Sequence, residues 1–584
     1  MFLYDIAIPE MSLILTYQSN NEIKTGVRVS VKVQEHSHTG FNLGSSKNDL
    51  SSEIEIKNVE NTVDEKPIIT PDLWDMILYA GHISLRGAAV ALRVILPRPL
   101  IMGDKFSRKG EILKYNPKNF REIDFFNPID SVRFDFYLNE LKSGKRTLIL
   151  FSQKKTAKIF FDSLPEEIKN RALLWNAVNG AKYYFPNWLL TNEGKFDFII
   201  GSAGAIFAPM MFEKIIIEDE GGKSFMIPPF LNISAVTLAG RRAAFSGAKL
   251  IIGGRQPSLK TFIRSKPEEK ILPNRENIIL ADIFHRKTFK EEITGIDGNI
   301  PLTFSLIKNT YRELIKKNSV IWILDRLGES SEVYCPRCGE NIKCPKCGNN
   351  MRSEDNGKKL RCVFCGKSRD LPPKCEKCGF EVLSGKRPGL EALEKIAAKY
   401  YDKVVLYTDK YSRLKKNSLI LSTSRGLELC EKLKPSLIAW LDLDLELSFS
   451  NYDNNLGVFN LLYESYWRGR EKNSERKILI QARNYGMNLA QFLHQGWSSF
   501  FPVELSRRKE FTLPPFGYVI ELETQNIELR EKLFNAFSDA EIFVMDPGDE
   551  SEPLNITTES LEPVSKVLNS LKIPPKELKI TMQN

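Results

Sequence analysis

The chain has 584 residues, too many for one hydrophobic core and enough for about four domains at roughly 150 residues each. Its 42% hydrophobic, 10% aromatic and 27% charged residues exclude a disordered or collagen-like polymer. Eighty-three Lys and Arg stand against 73 Asp and Glu, a formal charge of +10 that permits a nucleic-acid partner without requiring one.

From the N-terminus, Met1 to Ile8 is apolar but has no basic segment before it, and Pro9 and Glu10 interrupt it, so no secretory signal is expected. Val27, Val29, Val31 and Val33 alternate with Arg28, Ser30 and Lys32, the period-two pattern of a half-buried strand. Asn42 to Ser52 is polar and Gly/Ser-rich and reads as a linker. Thr70-Pro71-Asp72 opens a helix from Leu73 through Ala80, with Thr70 or Asp72 as cap, and a second helix precedes Pro97-Arg98-Pro99.

From about residue 140 apolar strands alternate with helix-length segments: Thr147 to Phe151, Phe196 to Ile200, Lys214 to Ile217 and Lys249 to Ile252. The pattern resumes at Lys403 to Tyr407, Ser418 to Leu421, Leu437 to Leu441 and Lys477 to Ile480. Continuous apolar strands of this kind suit parallel sheets covered on both faces, and two such α/β lobes are expected, with a small α/β domain after Leu513-Pro514-Pro515-Phe516. The longest apolar stretch, Phe198 to Phe212, contains Gly201, Gly204 and Pro209 and is too short to span a bilayer. A cytoplasmic chain with reduced thiols and no membrane partner is the expectation.

Eight of the nine cysteines lie between Cys335 and Cys378, in four CxxC pairs: Cys335/Cys338, Cys344/Cys347, Cys362/Cys365 and Cys375/Cys378. Gly339, Gly348, Gly366 and Gly379 follow them directly. Two thiolates two residues apart can grip one tetrahedral ion, and the glycine frees the backbone for the turn. Two zinc ions in closed, structural four-cysteine sites are therefore expected, against the plainer alternative of eight metal-free thiols. Residues 331–380 carry eleven Lys/Arg and six Asp/Glu. Two tetrathiolate zinc centres of about −2 each balance much of that excess. Cys430 reads as an ordinary thiol, and none of His36, His38, His82, His285 and His494 is assigned to metal.

Four CxxC pairs inserted in the second lobe of a two-lobe α/β chain, behind an N-terminal β domain, resemble the PriA family of primosomal replication-restart proteins. Gly26-Val-Arg-Val29 is similar to the GxRVxV strand of that family's DNA 3′-end-binding domain, and Pro67 to Pro97 resembles its winged-helix segment. Gly201 to Pro209 resembles its GTRSALFxP, Ile215 to Glu220 its Walker B strand, and Gly253 to Leu259 its GSATPSLE. Ser422 to Asp444 resembles GTQM…LLDAD, and Leu513 to Phe516 the LPPF turn. The resemblance implies a first zinc on Cys335, Cys338, Cys375 and Cys378 and a second on Cys344, Cys347, Cys362 and Cys365.

The resemblance fails at the motor chemistry. A P-loop needs GxxxxGK[ST] so that backbone N–H groups cradle phosphates, lysine reaches them and the hydroxyl holds Mg²⁺, and the sequence contains no such string. Setting Asp135 to Leu138 against the family's EVYL puts Asn127 to Phe134 over the loop, with Arg133 for the lysine, Phe134 for the hydroxyl and no glycine. The family's DEEH falls on Glu218-Asp219-Glu220-Gly221, its KGH on Glu428-Leu429-Cys430, and its QVAGRAGR on Tyr463 to Arg470 with Trp467 for the first arginine. Glu218, Asp219, Glu220, Arg133 and Arg470 thus read as relics, with no catalytic residue expected and no support for ATP/Mg²⁺.

DNA contacts are expected at Arg28, Lys154, Lys155, Arg241, Arg242 and Arg255, within a basic concentration that includes Lys249, Lys260, Arg264 and Lys266. Trp467 and Phe501 are candidates for base stacking, with a core position the plainer reading. The fold expected is multidomain α/β: two RecA-like parallel-sheet helicase lobes with an inserted two-zinc ribbon, N-terminal β DNA-binding and winged-helix domains, and a small C-terminal α/β domain. The boundaries are 1–57 for the 3′-end-binding-like domain, 58–115 for the winged-helix-like domain and 116–270 for lobe 1. Lobe 2 takes 271–330 and 385–505, the ribbon 331–384 and the C-terminal domain 506–584. The expected function is recognition of stalled forks or single-stranded DNA and recruitment of partners without ATPase activity. The alternative is an active ATP-dependent 3′–5′ helicase with a non-standard nucleotide site. By resemblance, the partners are other primosome proteins, single-strand-binding protein and the replicative-helicase loading machinery, at the nucleoid.

Overall fold

The computed structural model describes residues 2–46, 56–109, 112–144, 146–176, 180, 182–221, 225–227, 231–283, 288–289, 296–298, 300–346, 348–355, 357–362, 365–408, 416–447, 452–472, 474–545, 553–571, 573–574 and 577–583. Cys347, His285 and most of the Gly/Ser-rich linker lie outside them. The chain divides into two units, residues 1–127, 132–267 and 505–584 in one and 128–131 with 268–504 in the other.

The first unit begins with an antiparallel sheet of β1 (Phe2–Ile8), β2 (Leu13–Ser19), β3 (Arg28–Val33), β4 (His36–Ser45) and β5 (Val59–Thr62), ordered β2-β1-β4-β3-β5. The alternating valines do face inward: Val27, Val29 and Val31 are buried with Tyr4, Ile6 and Tyr17. The start of the expected linker is strand instead. Asn42 is buried, its Nδ2 donates to the Ile23 carbonyl, and its Oδ1 accepts from Gly44 N–H. A polar side chain satisfied by local backbone keeps a Gly/Ser-rich stretch in the sheet.

Helices α1 (Pro71–Ile83) and α2 (Gly87–Ile95) follow. Thr70 takes the extended N-cap position, but its hydroxyl makes no capping bond, and Asp72 is buried against Arg242. The expected side-chain cap is thus replaced by a tertiary ion pair.

Six parallel strands come next: β6 (Arg121–Phe126), β7 (Thr147–Phe151), β8 (Ala172–Trp175), β9 (Phe198–Gly201), β10 (Lys214–Glu218) and β11 (Lys249–Gly254), ordered β6-β11-β10-β7-β9-β8. Around them lie α3 (Asp130–Lys142), α4 (Lys154–Asp162), α5 (Ala235–Ser246) and α6 (Leu259–Ser265). The central strands β7, β9 and β10 are buried throughout. Their side chains fill separate cores on the two faces, Leu148, Leu150, Ile215 and Ile217 on one and Ile149, Phe151 and Ile216 on the other, which explains the absence of alternation in the sequence.

The second unit repeats the design. Its strands are β12 (Ile278–Asp282), β13 (Val320–Ile323), β19 (Val404–Tyr407), β20 (Leu419–Ser422), β21 (Leu437–Trp440) and β22 (Lys477–Ala482). They form one parallel sheet ordered β12-β22-β21-β13-β20-β19, with α7 (Phe304–Ile315), α8 (Leu390–Tyr400) and α9 (Asn454–Trp467) packed about it. Between β13 and α8 the cysteine block supplies five strands of a six-stranded sheet: β14 (Ser330–Tyr334), β15 (Met351–Glu354), β16 (Lys359–Cys362), β17 (Ser368–Asp370) and β18 (Ser384–Pro388), with Ile296–Asp297 pairing beside β18 as the sixth. The chain closes with an antiparallel sheet of β23 (Tyr518–Glu523), β24 (Val544–Met545), β25 (Leu554–Thr558) and β26 (Lys579–Gln583), ordered β24-β25-β23-β26. This is a mixed α/β fold with two six-stranded parallel sheets, an inserted ribbon and an antiparallel N-terminal sheet. No helix among the described residues is long and apolar enough to cross a membrane.

Candidate metal centres, nucleotide-site region and nucleic-acid interface

The four CxxC pairs build the same turn. In each, the first cysteine's carbonyl accepts from the glycine four residues on: Gly339 to Cys335 at 2.8 Å, Gly348 to Cys344 at 2.9 Å, Gly366 to Cys362 at 3.2 Å and Gly379 to Cys375 at 2.9 Å. Each first cysteine's N–H donates to the carbonyl of the residue after that glycine, Glu340, Asn349, Lys367 and Phe380. The glycines take φ between +70° and +74°, the left-handed region that a side chain disfavours.

The turns bring sulfurs together in two groups. The Sγ atoms of Cys335, Cys338, Cys375 and Cys378 lie within 4.8 Å of one another, and so do those of Cys344, Cys362 and Cys365. Neighbouring sulfurs are 3.6 Å (Cys335–Cys378), 3.7 Å (Cys338–Cys375) and 3.6 Å (Cys344–Cys365) apart. That is far longer than the roughly 2.05 Å of a disulfide. It fits the edge of about 3.8 Å of a tetrahedron with 2.3 Å metal–sulfur bonds. Both clusters can therefore hold a metal ion. The core beneath is small: Val333, Ile342, Met351 and Leu360 are its buried side chains besides cysteine, so cross-linking by metal matters more here than in the lobes.

At the end of β10, the three acidic residues each have a fixed partner. Glu218 is 2% exposed and Arg133 fully buried. Arg133 Nη2 donates to Glu218 Oε1 at 2.7 Å, and its Nε lies 2.9 and 3.1 Å from the two oxygens. Arg133 Nη1 also donates to the Asn127 carbonyl. Tyr137, one turn along α3, donates its hydroxyl to Glu218 Oε2 at 2.6 Å. Burial and the Glu218 charge push the Tyr137 phenol well above its ordinary pKa, so it stays a donor. Gly253 is required beside it, because a Cβ there would lie 2.1 Å from the Tyr137 hydroxyl.

Asp219 accepts from Ser152 Oγ at 3.1 Å and sits at φ +64°. Glu220 accepts from Ser258 N–H at 2.8 Å and Thr261 Oγ1 at 2.9 Å at the start of α6. Burial raises the Glu220 pKa, and those two donors partly offset the rise. A divalent cation at Glu218 would have to displace a guanidinium and a phenol, so the side chains here do not fit a Mg²⁺–phosphate site. Tyr137 is missed by sequence reasoning, and the available signal was its place four residues after Arg133 on one helix face. In the second unit, Arg470 Nε donates to the Ser474 carbonyl and its guanidinium lies 4.6 and 5.0 Å from the Tyr466 and Trp467 ring centres. Asp442 pairs with Arg483 at 3.0 Å, and Asp444 accepts from the N–H groups of Arg483 and Gly486 at the start of a helix. Cys430 is buried, which pushes its thiol up to about 11.

The residues expected to touch DNA divide into three groups. Arg28 and Arg242 are fully buried and unavailable to phosphate. Arg28 forms a fork with Asp64 at 2.7 and 2.8 Å and also bonds the Leu100 and Asp104 carbonyls. Arg242 pairs with Asp72 and bonds the Ile206, Ala208 and Met210 carbonyls. These two expectations are corrected: four of the five donors of each arginine are spent on backbone and carboxylate inside the fold. Arg241 is exposed but paired with Asp75 at 2.6 and 2.7 Å, and Lys249 and Arg264 are likewise paired, with Glu140 and Glu122. Arg255 is half-buried. Lys154 and Lys155 are exposed in the first turn of α4, just after β7. Trp467 and Phe501 are buried, so neither presents a ring for stacking.

Against known proteins, residues 5–97 match the PriA family described as the 3′DNA-binding domain (3′BD). The match runs through β1 to α2, across the boundary expected at residue 57. The replication restart protein PriA of Thermotoga maritima is 22% identical over 476 residues, covering 73% of this chain and 60% of that protein. The Bacillus subtilis protein of that name is 22% identical over 455 residues (73% and 55%), and that of Rickettsia conorii is 22% identical over 410 residues (66% and 62%). The chain thus spans 55 to 62% of the length of these three relatives. Among solved structures, the DUF1998 helicase MrfA bound to DNA is 8% identical with a TM-score of 0.32, over 76% of this chain and 59% of that one. With its 3′DNA-binding-domain match over residues 5–97 and 22% identity over 66 to 73% of its length, the chain is similar to the replication restart protein PriA.

Proposed function

We propose that the chain is a non-hydrolytic replication-restart factor. It binds stalled forks and single-stranded DNA through its N-terminal domain and lobe surfaces, and it recruits other primosome proteins, single-strand-binding protein and the helicase-loading machinery at the nucleoid. The six segments drawn from the sequence serve as its modules, with two zinc ions holding the ribbon on the eight cysteines. Lys154, Lys155, Arg241 and Arg255 are the basic residues we assign to phosphate contact.

The observation that carries the reading is the Arg133–Glu218–Tyr137 cluster. Where a P-loop ATPase needs a mobile lysine and a carboxylate open to Mg²⁺, this chain has a buried guanidinium bound to a buried carboxylate. The test is ATP hydrolysis by zinc-loaded protein with a forked DNA. Turnover indistinguishable from a no-enzyme control is expected. A DNA-stimulated rate of roughly 1 s⁻¹ or more, lost on Asp219→Ala/Glu220→Ala substitution, would establish the active-helicase alternative instead.

A further inference from the structure

Helix α7 is pinned along one side. Leu306, Thr310 and Glu313 are buried; Thr310 Oγ1 accepts from Trp322 Nε1 at 2.9 Å, and Glu313 pairs with Lys477 at 3.2 Å. Its N-cap, Thr303, accepts from Leu306 N–H at 3.2 Å and donates to Gln481 at 2.7 Å. The opposite side carries three large apolar residues in water: Phe304 is 65% exposed, Tyr311 58% and Ile315 63%.

At about 100° per residue these three fall within about 40° of one another. Lys308, Arg312 and Lys316 form a row along one flank of that ridge, each about 6 Å beyond the last along the axis. The Lys308 ammonium lies 5.8 Å from the Phe304 ring centre, and Lys316 has a long 3.9 Å contact with Glu313. Isolated exposed apolar residues are ordinary, but a ridge on a rigid helix beside a row of cations is an organised surface. It lies outside both the 3′DNA-binding-domain match and the cysteine block.

We propose that this face of α7 is a binding track for single-stranded DNA, with bases stacked on Phe304 and Tyr311 and phosphates held by Lys308, Arg312 and Lys316. Flat rings beside a one-sided cation row match a strand that has bases on one edge and charge on the other. A partner helix laid on the ridge fits worse. It would bury the Lys308 ammonium between apolar residues at a desolvation cost, whereas a nucleic-acid strand offers that ammonium a phosphate. The inference rests on the DNA-binding reading above and is independent of whether the motor turns over.

Anisotropy titrations of full-length, metal-loaded protein test it with two labelled ligands: dT20, and a fork whose arms are all double-stranded. Phe304→Ala/Tyr311→Ala should raise the Kd for dT20 about tenfold or more. Lys308→Ala/Arg312→Ala should flatten the log Kd against log salt slope for dT20 by about 1.4, roughly 0.7 for each lost phosphate contact. Both variants should bind the duplex fork as the unaltered protein does. Variants that bind dT20 with unchanged Kd and slope overturn the track, as does retention of dT20 with loss of an acidic, aromatic-rich peptide. If the unaltered protein binds neither ligand, the DNA-binding reading itself falls, an outcome separable from failure of α7 alone.

Discussion

Between Cys335 and Phe380 one turn is built four times, each with a positive-φ glycine and the same two backbone hydrogen bonds. Between Arg121 and Thr261 the scaffold is as regular, six parallel strands in register, but the side chains at its ligand-facing end bond one another. The ribbon has little apolar core and depends on its ligand chemistry. The lobe has a large core on each face of its sheet, apolar burial enough to fold without a bound ligand. A well-packed α/β layer can therefore lose a nucleotide site and persist, whereas a ribbon that loses its thiolates has little left to fold around.

Metal removal should give the largest effect. Structural zinc in isolated fingers contributes on the order of 10 kcal/mol to folding at neutral pH, far more than the ribbon's few buried side chains supply. Chelation should abolish hydrogen-exchange protection in residues 331–384 while both parallel sheets keep theirs. Equal loss in ribbon and lobes would erase the contrast. Next comes Arg133→Ala, which strands Glu218 in the interior and should cost about 3–5 kcal/mol in denaturant unfolding. Replacing the pair together, Arg133→Met/Glu218→Met, removes both charges and should restore most of that loss. If the double variant is as unstable as the single, the unpaired Glu218 charge is not what destabilises Arg133→Ala.

What the sequence exposed and what it concealed follow the same division. The four CxxCG units are local, and the parallel strands announce themselves as apolar runs, because a strand buried on both faces has no alternative pattern. Ion pairing is non-local. Arg28 meets Asp64 across 36 residues and Arg242 meets Asp72 across 170, so basic residues that read as a DNA surface are in part internal rivets. The α7 ridge hides for a related reason: Phe304, Tyr311 and Ile315 look like core until the helix's buried face is known to be Leu306, Thr310 and Glu313.

A smaller effect concerns Glu220. Its folded pKa is raised by burial, so over the window between the unfolded and folded values the native state holds more protons. Stability therefore falls as pH rises through that window, and at neutral pH the carboxylate is a net cost. Glu220→Gln keeps the acceptor for Ser258 N–H and offers Thr261 Oγ1 an N–H donor in place of the second oxygen, and should raise Tm at pH 7 by about 2–4 °C, the equivalent of roughly 1 kcal/mol in a domain of this size. The gain should vanish in acid, once the carboxyl is protonated in both states. An unchanged Tm at pH 7 would mean that hydrogen bonding from Ser258 and Thr261 outweighs desolvation.

The smallest stability effect is expected where the lobe meets solvent. Lys154 and Lys155 are exposed at the start of α4, and surface substitutions of this kind usually stay within about 0.5 kcal/mol. Lys154→Ala/Lys155→Ala should leave unfolding curves superimposable on those of the unaltered protein. If these lysines neutralise phosphates, the same variant should lower the salt slope of single-strand binding by about 1.4. A full salt slope would return both lysines to the solvated surface, and DNA contact by this lobe would then have to come from residues other than the α4 pair. That outcome would leave the first lobe as scaffold alone, the sharpest form the contrast with the ribbon can take.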